Sequence, residues 1–179
     1  YDNTTGKNIT LETYDEFEGF LQSLKSYKVV KPTSSKPYPE NAAKLLSPAV
    51  YVDGAKRSNI NVQHWAGWAA LDVDDYDGTF EDVMASMPAC RKTIYSTGSS
   101  TKEKPKFRVI VPLTRWVRKD ELHHFWHALN SEFLGVNDAQ TKDLSRMYYV
   151  PGKYPKAYNF FKSIPGDFID PTELMSRHA

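Results

Sequence analysis

The sequence predicts an α+β fold in which helices flank a mixed or antiparallel sheet. Two segments place apolar residues at helical spacing, while several short apolar runs between turn signals are typical of strands. Strands and helices mixed in this order, with hairpin-length connections, favour an α+β sandwich over a doubly wound parallel sheet. With 179 residues, 40% of them hydrophobic, we expect one globular domain over residues 1–179.

The N-terminal region, residues 1–50, is predicted to hold one helix and one loop. Thr10 is a suitable N-cap, and the helix should run to about Ser26. The stretch 30–40 contains three prolines and two serines, which favours a surface loop or a lid. The apolar positions of the helix are Tyr14, Phe17, Phe20, Leu21 and Leu24.

The central region is predicted to hold three strands and one helix. Residues 65–74 form an apolar run that ends at two carboxylates. The turn signal Asp77-Gly78 separates this run from a helix over residues 80–87. The two further strands and the polar loop between them are residues 91–96, 106–113 and 97–105.

The C-terminal region is predicted to hold a second long helix, two late strands and a short terminal helix. Asp120 is expected to cap the long helix, and Asp170-Pro171 should begin the terminal one. The late strands are predicted at residues 146–151 and 158–162. The apolar stripe of the long helix is Leu122, Phe125, Trp126, Leu129 and Phe133.

Composition narrows the class of protein. No apolar run approaches the roughly 18 residues needed to cross a bilayer, and the first residues do not resemble a secretion signal. We therefore expect a soluble, cytoplasmic protein with no membrane partner. The single Cys90 cannot form an internal disulfide and is expected in the core. Because the chain does not begin with Met, we expect it to be a piece of a longer protein.

The charges are segregated along the chain, although the formal net charge is only +1. Residues 58–90 contain no Lys or Arg, while residues 101–119 are strongly basic. An acidic cluster that binds divalent cations, next to a basic stretch that binds phosphates, suits phosphoryl transfer. Two solvated surfaces are the alternative explanation. The acidic residues are Asp72, Asp74, Asp75, Asp77, Glu81 and Asp82.

The segment Asp72-Val73-Asp74 is the candidate metal site. The two-residue period of a strand puts both carboxylates on one face, while Leu71 and Val73 enter the core. Such a pair can bind one or two Mg²⁺ or Mn²⁺ ions. Glycosyltransferases, phosphatases and nucleases also use this pattern, and solvation at the end of a strand produces it as well.

The order of several motifs carries a resemblance to a known superfamily. Lys56-Arg57-Ser58 precedes Asp72-Val73-Asp74, and the hydroxyl-rich stretch 95–101, the basic strand 104–113 and Ser145-Arg146 follow. This order resembles the archaeo-eukaryotic primases, in particular the primase-polymerases of phages and plasmids. The resemblance implies an RRM-like primase catalytic core, template-directed nucleotide joining and a two-metal site with Mg²⁺ or Mn²⁺.

The resemblance also implies roles for individual residues. Asp72 and Asp74 would be metal ligands and catalytic, with Asp138 as the third carboxylate and Asp143 as its rival. The nucleotide-binding residues would be Ser96, Ser100, Lys106, Arg108 and Arg146. Independently of the resemblance, basic and aromatic side chains that could bind and stack single-stranded nucleic acid are Arg57, Lys102, Lys104 and Tyr149, with core packing as the alternative for the aromatics. The loop from Lys31 to Lys36 could also follow a nucleic-acid backbone.

The sequence departs from its relatives at Ser100, where they commonly have a histidine that contacts the incoming nucleotide. Serine can donate a hydrogen bond to a phosphate oxygen but carries no charge. A divergent active enzyme, a domain that only binds, and a deliberate substitution all remain open. We expect Ser100→His to increase activity if the domain is an active polymerase.

Three functions follow in order of preference. The first is a DNA primase or primase-polymerase that uses a DNA template or primer and nucleoside triphosphates, in a phage, plasmid or other mobile-element protein. The second is a single-stranded nucleic-acid-binding replication module that works beside a helicase. The third is a metal-dependent nuclease.

Overall fold

A computed structural model describes residues 8–32, 38–133 and 144–179. It contains helices and antiparallel sheets, so the α+β prediction is confirmed. The helices are α1 (Tyr14–Leu24), α2 (Phe80–Ser86), α3 (Leu122–Glu132) and α4 (Pro171–Arg177). The strands are β1 (Leu45–Leu46), β2 (Ala49–Tyr51), β3 (Val62–Trp65), β4 (Trp68–Val73), β5 (Lys92–Ser96), β6 (Phe107–Pro112), β7 (Val117–Arg118), β8 (Tyr148–Tyr149) and β9 (Phe161–Ile164).

The main sheet has four strands in the order β4-β6-β5-β9, and all its neighbours are antiparallel. Strand β6 lies between β4 and β5, which therefore run in the same direction and are joined through α2. This is a split β-α-β arrangement, and β9 extends the sheet at its β5 edge. Two smaller sheets, β2-β3-β7 and β1-β8, flank the main one.

One face of the main sheet carries the larger hydrophobic core. Leu71 and Val73 on β4 point to this face and are fully buried, as the alternation predicted. Phe107 and Val109 on β6 join them, and Ile94 supplies the contribution of β5. Helices α2, α3 and α4 cover this face, with Val83, Phe125, Leu129 and Leu174 among the residues they bury there.

The opposite face is covered in part by α1. Phe17 and Leu21 of this helix pack on Ala70 and Ile110, and Phe17 stacks on Trp68 with ring centroids 4.9 Å apart. Tyr14 adds a polar contact, since its hydroxyl lies 2.5 Å from the Thr93 hydroxyl of β5. Helix α1 is therefore packed against the sheet.

Several predicted boundaries differ from the observed ones. Helix α1 begins at Tyr14 rather than after Thr10, because the Thr13 hydroxyl accepts a hydrogen bond from the Glu16 amide at 3.1 Å. Helix α3 begins at Leu122, because a 3₁₀ turn occupies Lys119–Glu121. Trp65 belongs to β3, and the strand predicted over residues 65–74 begins at Trp68.

The C-terminal segment follows its prediction closely. Asp170 caps α4 by accepting hydrogen bonds from the amides of Thr172 and Glu173, and Pro171 fills the first turn. The last strand is shifted to Phe161–Ile164 from the predicted 158–162. Among the described residues, no helix is long and apolar enough to cross a membrane.

Candidate active site

A buried ion pair lies at one end of the main sheet, on the face that α1 partly covers. Pairing of the strands puts Asp72 of β4, Arg108 of β6 and Tyr95 of β5 side by side. The Arg108 Nε donates to Asp72 Oδ1 at 2.5 Å. Asp72 is 3% exposed and Arg108 7%, so both charges lie in the protein interior. Such a pair needs further hydrogen bonds to offset its loss of solvent.

Tyrosines and a backbone carbonyl supply those further contacts. Arg108 Nη1 donates to the Tyr149 carbonyl at 2.8 Å, and the guanidinium lies 4.9 Å from the Tyr148 ring centroid. Burial lowers the pKa of Arg108, but Tyr95 and Asp72 outweigh it and raise the pKa above its usual value. Burial, and then the charge of Asp72, raise the pKa of Tyr148. The guanidinium of Arg108 is thus packed against the rings of Tyr95 and Tyr148.

A cavity of about 370 Å³ opens beside this ion pair. Its wall combines charged groups of both signs with tyrosines and the hydroxyl-rich loop that follows β5. This composition suits a polar, anionic ligand whose charge is balanced by the cations. The charged residues that line the cavity are Lys31, Arg57, Arg108, Arg146, Asp72 and Asp74.

Asp72 and Asp74 lie on one side of the cavity, as the strand period predicted. The other acidic residues have different roles: Asp75 pairs with Lys104 at 3.1 Å, and Asp82 caps α2 by accepting from the Thr79 amide. Asp72 Oδ2 also lies 3.9 Å from Arg146 Nη2. The acidic cluster of the sequence thus divides into two cavity carboxylates and several structural or surface ones.

The two cavity carboxylates fit part of a magnesium site. Mg²⁺ is commonly bound through one or two protein carboxylates, with substrate phosphates and waters completing its shell. Asp72 and Asp74 supply such a pair of hard oxygen ligands. Within residues 8–32, 38–133 and 144–179, no group of three or more metal-ligating side chains occurs. The predicted third carboxylate, Asp138, and its rival Asp143 lie outside the described residues.

Arg146 reaches the cavity from the segment that precedes β8, and Arg57 reaches it from the loop that follows β2. Arg57 Nη1 donates to the Ser145 carbonyl at 3.0 Å, and Trp65 Nε1 donates to the Leu144 carbonyl at 2.9 Å. These contacts fix the backbone on the N-terminal side of Arg146, and β8 fixes it on the other side. Both predicted arginines therefore lie at the cavity.

The hydroxyl-rich loop divides between the cavity and the interior. Ser96 lines the cavity, but its Oγ also accepts a hydrogen bond from the Phe160 amide at 2.7 Å. Ser100 does not line the cavity: it is 1% exposed, and its Oγ accepts from the Lys106 amide at 3.1 Å. Ser99, its neighbour, lines the cavity instead. Sequence alone gave no way to tell which of two adjacent hydroxyls faces the cavity.

The predicted lysines of the basic stretch lie outside the cavity. Lys104 pairs with Asp75 and lies over the Tyr76 ring at 5.3 Å. Lys102 is exposed and Lys106 half-buried, and neither lines the cavity. Tyr149, predicted to contact nucleic acid, does line it.

The N-terminal region contributes a residue that sequence reasoning placed elsewhere. Lys31 was assigned to a loop that follows a nucleic-acid backbone, yet it lines the cavity together with Leu45 of β1. Tyr154 also lines it and is buried, with its hydroxyl donating to the Val150 carbonyl at 2.7 Å. No periodicity or motif in the sequence marks these three positions as neighbours.

Fold and site together define an α+β domain with a cation-lined cavity at one end of its main sheet. A family model described as the VapE N-terminal domain matches residues 49–179. The chain belongs to this family, which is associated with phage and plasmid replication. No curated protein and no solved structure matches the chain. The family match supports the predicted link to replication. Membership of the archaeo-eukaryotic primases stays a prediction.

Proposed function

We propose that the domain binds a nucleoside triphosphate in the cavity and joins it to a nucleic-acid primer on a DNA template. The observation that carries this proposal is the meeting of two carboxylates with four cations around one cavity of about 370 Å³. A triphosphate has the opposite charge to such a wall, and phosphoryl transfer depends on positioned cations more than on covalent chemistry.

Each charged residue has a distinct part in this proposal. Asp72 and Asp74 would hold a divalent cation, which when bound neutralises the triphosphate and activates the attacking hydroxyl. Arg108 fixes the orientation of the Asp72 carboxylate through the 2.5 Å contact. Arg57 and Arg146, which are less buried, bind phosphate oxygens, for which a planar guanidinium is well suited.

The reaction is a displacement at the α-phosphate. The primer 3′-oxygen forms a bond to this phosphorus, its proton passes to solvent, and the bond to pyrophosphate breaks. The cavity arginines stabilise the charge that develops on the leaving pyrophosphate. Tyr149, on the cavity wall, offers an aromatic surface on which a base can stack.

A primer-extension assay with a labelled nucleotide and Mn²⁺ tests the proposal. We expect extension by the wild type and a loss of roughly 100-fold or more in Asp74→Ala, since metal-assisted charge stabilisation contributes several kcal/mol. Asp75→Ala is the matched control, because this adjacent carboxylate is exposed and pairs with Lys104 outside the cavity. Extension unchanged in Asp74→Ala would contradict the metal role.

A binding module without catalysis is the second candidate, and one observation favours it. The Asp72 carboxylate faces two guanidinium groups, at 2.5 and 3.9 Å, and is thereby neutralised within the protein. In this case the wild type would bind single-stranded DNA, without extension, and would act beside a replication partner such as a helicase. Degradation of the template in the same assay would instead support the nuclease.

A further inference from the structure

We propose that Lys31, at the end of the segment 27–31, binds the phosphate chain of the nucleotide and supplies one cation of the nucleotide site. Because Lys31 would act on the ligand of the proposed function, this assignment rests on that function. Lys31 lies before residue 49, where the family match begins. The site would then depend on a part of the chain that the family match does not cover.

Backbone hydrogen bonds hold this segment in place on two sides. On one side, the Val29 amide donates to the Lys153 carbonyl at 3.1 Å, and the Lys153 amide donates to the Tyr27 carbonyl at 2.8 Å. On the other side, the Val30 amide donates to the Asn41 carbonyl at 3.1 Å. These hydrogen bonds therefore fix the backbone from which the Lys31 side chain extends.

Gly98 makes room for the Lys31 side chain. A Cβ atom at Gly98 would lie 2.9 Å from Lys31 Cδ, closer than real Cβ contacts allow, and 3.2 Å from Tyr154 Cδ1. The aliphatic stem of Lys31 thus lies directly across the backbone of the hydroxyl-rich loop. This loop also presents Ser96 and Ser99 to the cavity.

Tyr149 connects Lys31 with the buried ion pair. The Lys31 ammonium lies 5.8 Å from the centroid of the Tyr149 ring, and the carbonyl of the same tyrosine accepts from Arg108 at 2.8 Å. Both cations therefore line the cavity and contact the same residue. Unlike Arg108, Lys31 is exposed, so its ammonium can exchange water for a ligand oxygen.

The chemistry of these groups favours a phosphate chain. An ammonium is a compact charge with several donors, which suits non-bridging phosphate oxygens, and the loop beside it supplies hydroxyl donors. The remaining cavity cations, Arg57 and Arg146, extend the positive wall. Lys31 should therefore discriminate a nucleoside triphosphate from a monophosphate.

Calorimetric titration with ATP or dATP, and with the corresponding monophosphate, tests the assignment. We expect Lys31→Met to weaken triphosphate binding about tenfold, the loss of one charge-assisted contact, and to weaken monophosphate binding much less. Lys28→Met is the matched control: Lys28 lies in the same segment and is exposed but does not line the cavity. It should leave both dissociation constants unchanged.

Gly98→Ala gives an independent route to the same result, because its new methyl group displaces the Lys31 stem. We expect it to weaken triphosphate binding by a similar factor. Adding Gly98→Ala to Lys31→Met should weaken triphosphate binding little further, since the contact between Lys31 and the phosphate chain is already lost. Thermal unfolding of each variant, compared with the wild type, checks that the fold is intact.

The outcomes separate this assignment from the proposed function. Triphosphate binding equal in wild type and Lys31→Met would overturn the assignment and leave the proposed function standing. A loss of affinity for single-stranded DNA alone would also overturn it and move Lys31 to the template path. No triphosphate binding by the wild type would overturn both.

Discussion

The two faces of the main sheet differ in what they bury. Along β4, Leu71 packs into the larger core while Asp72, the next residue, lies in a buried ion pair on the opposite face. Along β6, Phe107 and Arg108 repeat the same division. Apolar burial stabilises a fold directly, whereas a buried ion pair roughly breaks even against apolar residues of the same size.

This difference separates the residues that stabilise the fold from those that line the cavity. A sheet covered on both faces needs no charges, and β4 and β6 would pack well as uninterrupted apolar strands. Asp72 and Arg108 interrupt them at the mouth of the cavity. The apolar face therefore maintains the fold, and the charged end of the other face forms part of the site that the proposed function uses.

The largest expected effect comes from removing one partner of the ion pair. Arg108→Met leaves the Asp72 carboxylate buried without its 2.5 Å partner, and we expect the free energy of unfolding to fall by about 3–5 kcal/mol. Urea denaturation monitored by tryptophan fluorescence measures this change. Wild-type stability in Arg108→Met would show that the carboxylate is solvated or differently paired.

The double variant Asp72→Val with Arg108→Met tests whether the buried ion pair contributes to stability. It removes both charges, so we expect stability to return to within about 1 kcal/mol of the wild type or to exceed it. Nucleotide binding should be lost, because the cavity has lost one cation and one carboxylate. A protein that is stable and still binds would contradict the division between the two faces.

On the apolar face, Leu71→Ala should have the converse effect. The side chain is fully buried, and a deletion of this kind costs about 2–5 kcal/mol. The dissociation constant for nucleotide, measured below the unfolding transition, should match that of the wild type. A tenfold weaker binding in the folded variant would show that the two faces are coupled.

The last prediction concerns Ser100, in the loop between β5 and β6. For an active polymerase, the sequence predicts a gain in activity from Ser100→His, but the Ser100 side chain is buried and its Oγ already accepts from the Lys106 amide. We now expect Ser100→His to lower the unfolding free energy by about 1–3 kcal/mol through overpacking. Ser100→Ala should cost about 1 kcal/mol, because the Lys106 amide loses its acceptor. An increase in nucleotide incorporation by Ser100→His would restore the first expectation.

Much of the fold followed from local patterns. The helix at 80–87, the terminal helix after Asp170 and the carboxylates at the end of β4 all correspond to observed features. Errors occurred where two local signals compete or where partners are distant. Thr10 and Thr13 are both suitable caps, and the position of β9 is set by pairing with β5 rather than by its own residues.

The cavity was predictable only in part. Asp72, Asp74, Arg108 and Arg146 belong to motifs whose order is visible in the sequence, and all four line it. Lys31 belongs to no motif. The segment that precedes it is positioned by backbone hydrogen bonds to a residue more than a hundred positions away, which the sequence does not reveal.

The pairing of β1 with β8 makes the tyrosines at the cavity depend on the N-terminal region. Leu45 and Leu46 lie beside Tyr149 and Tyr148, so a fragment that begins at residue 49, where the family match begins, would lack the strand that pairs with β8. A hybrid that takes β1 from another member of the family should therefore recover its stability when β8 is replaced along with β1.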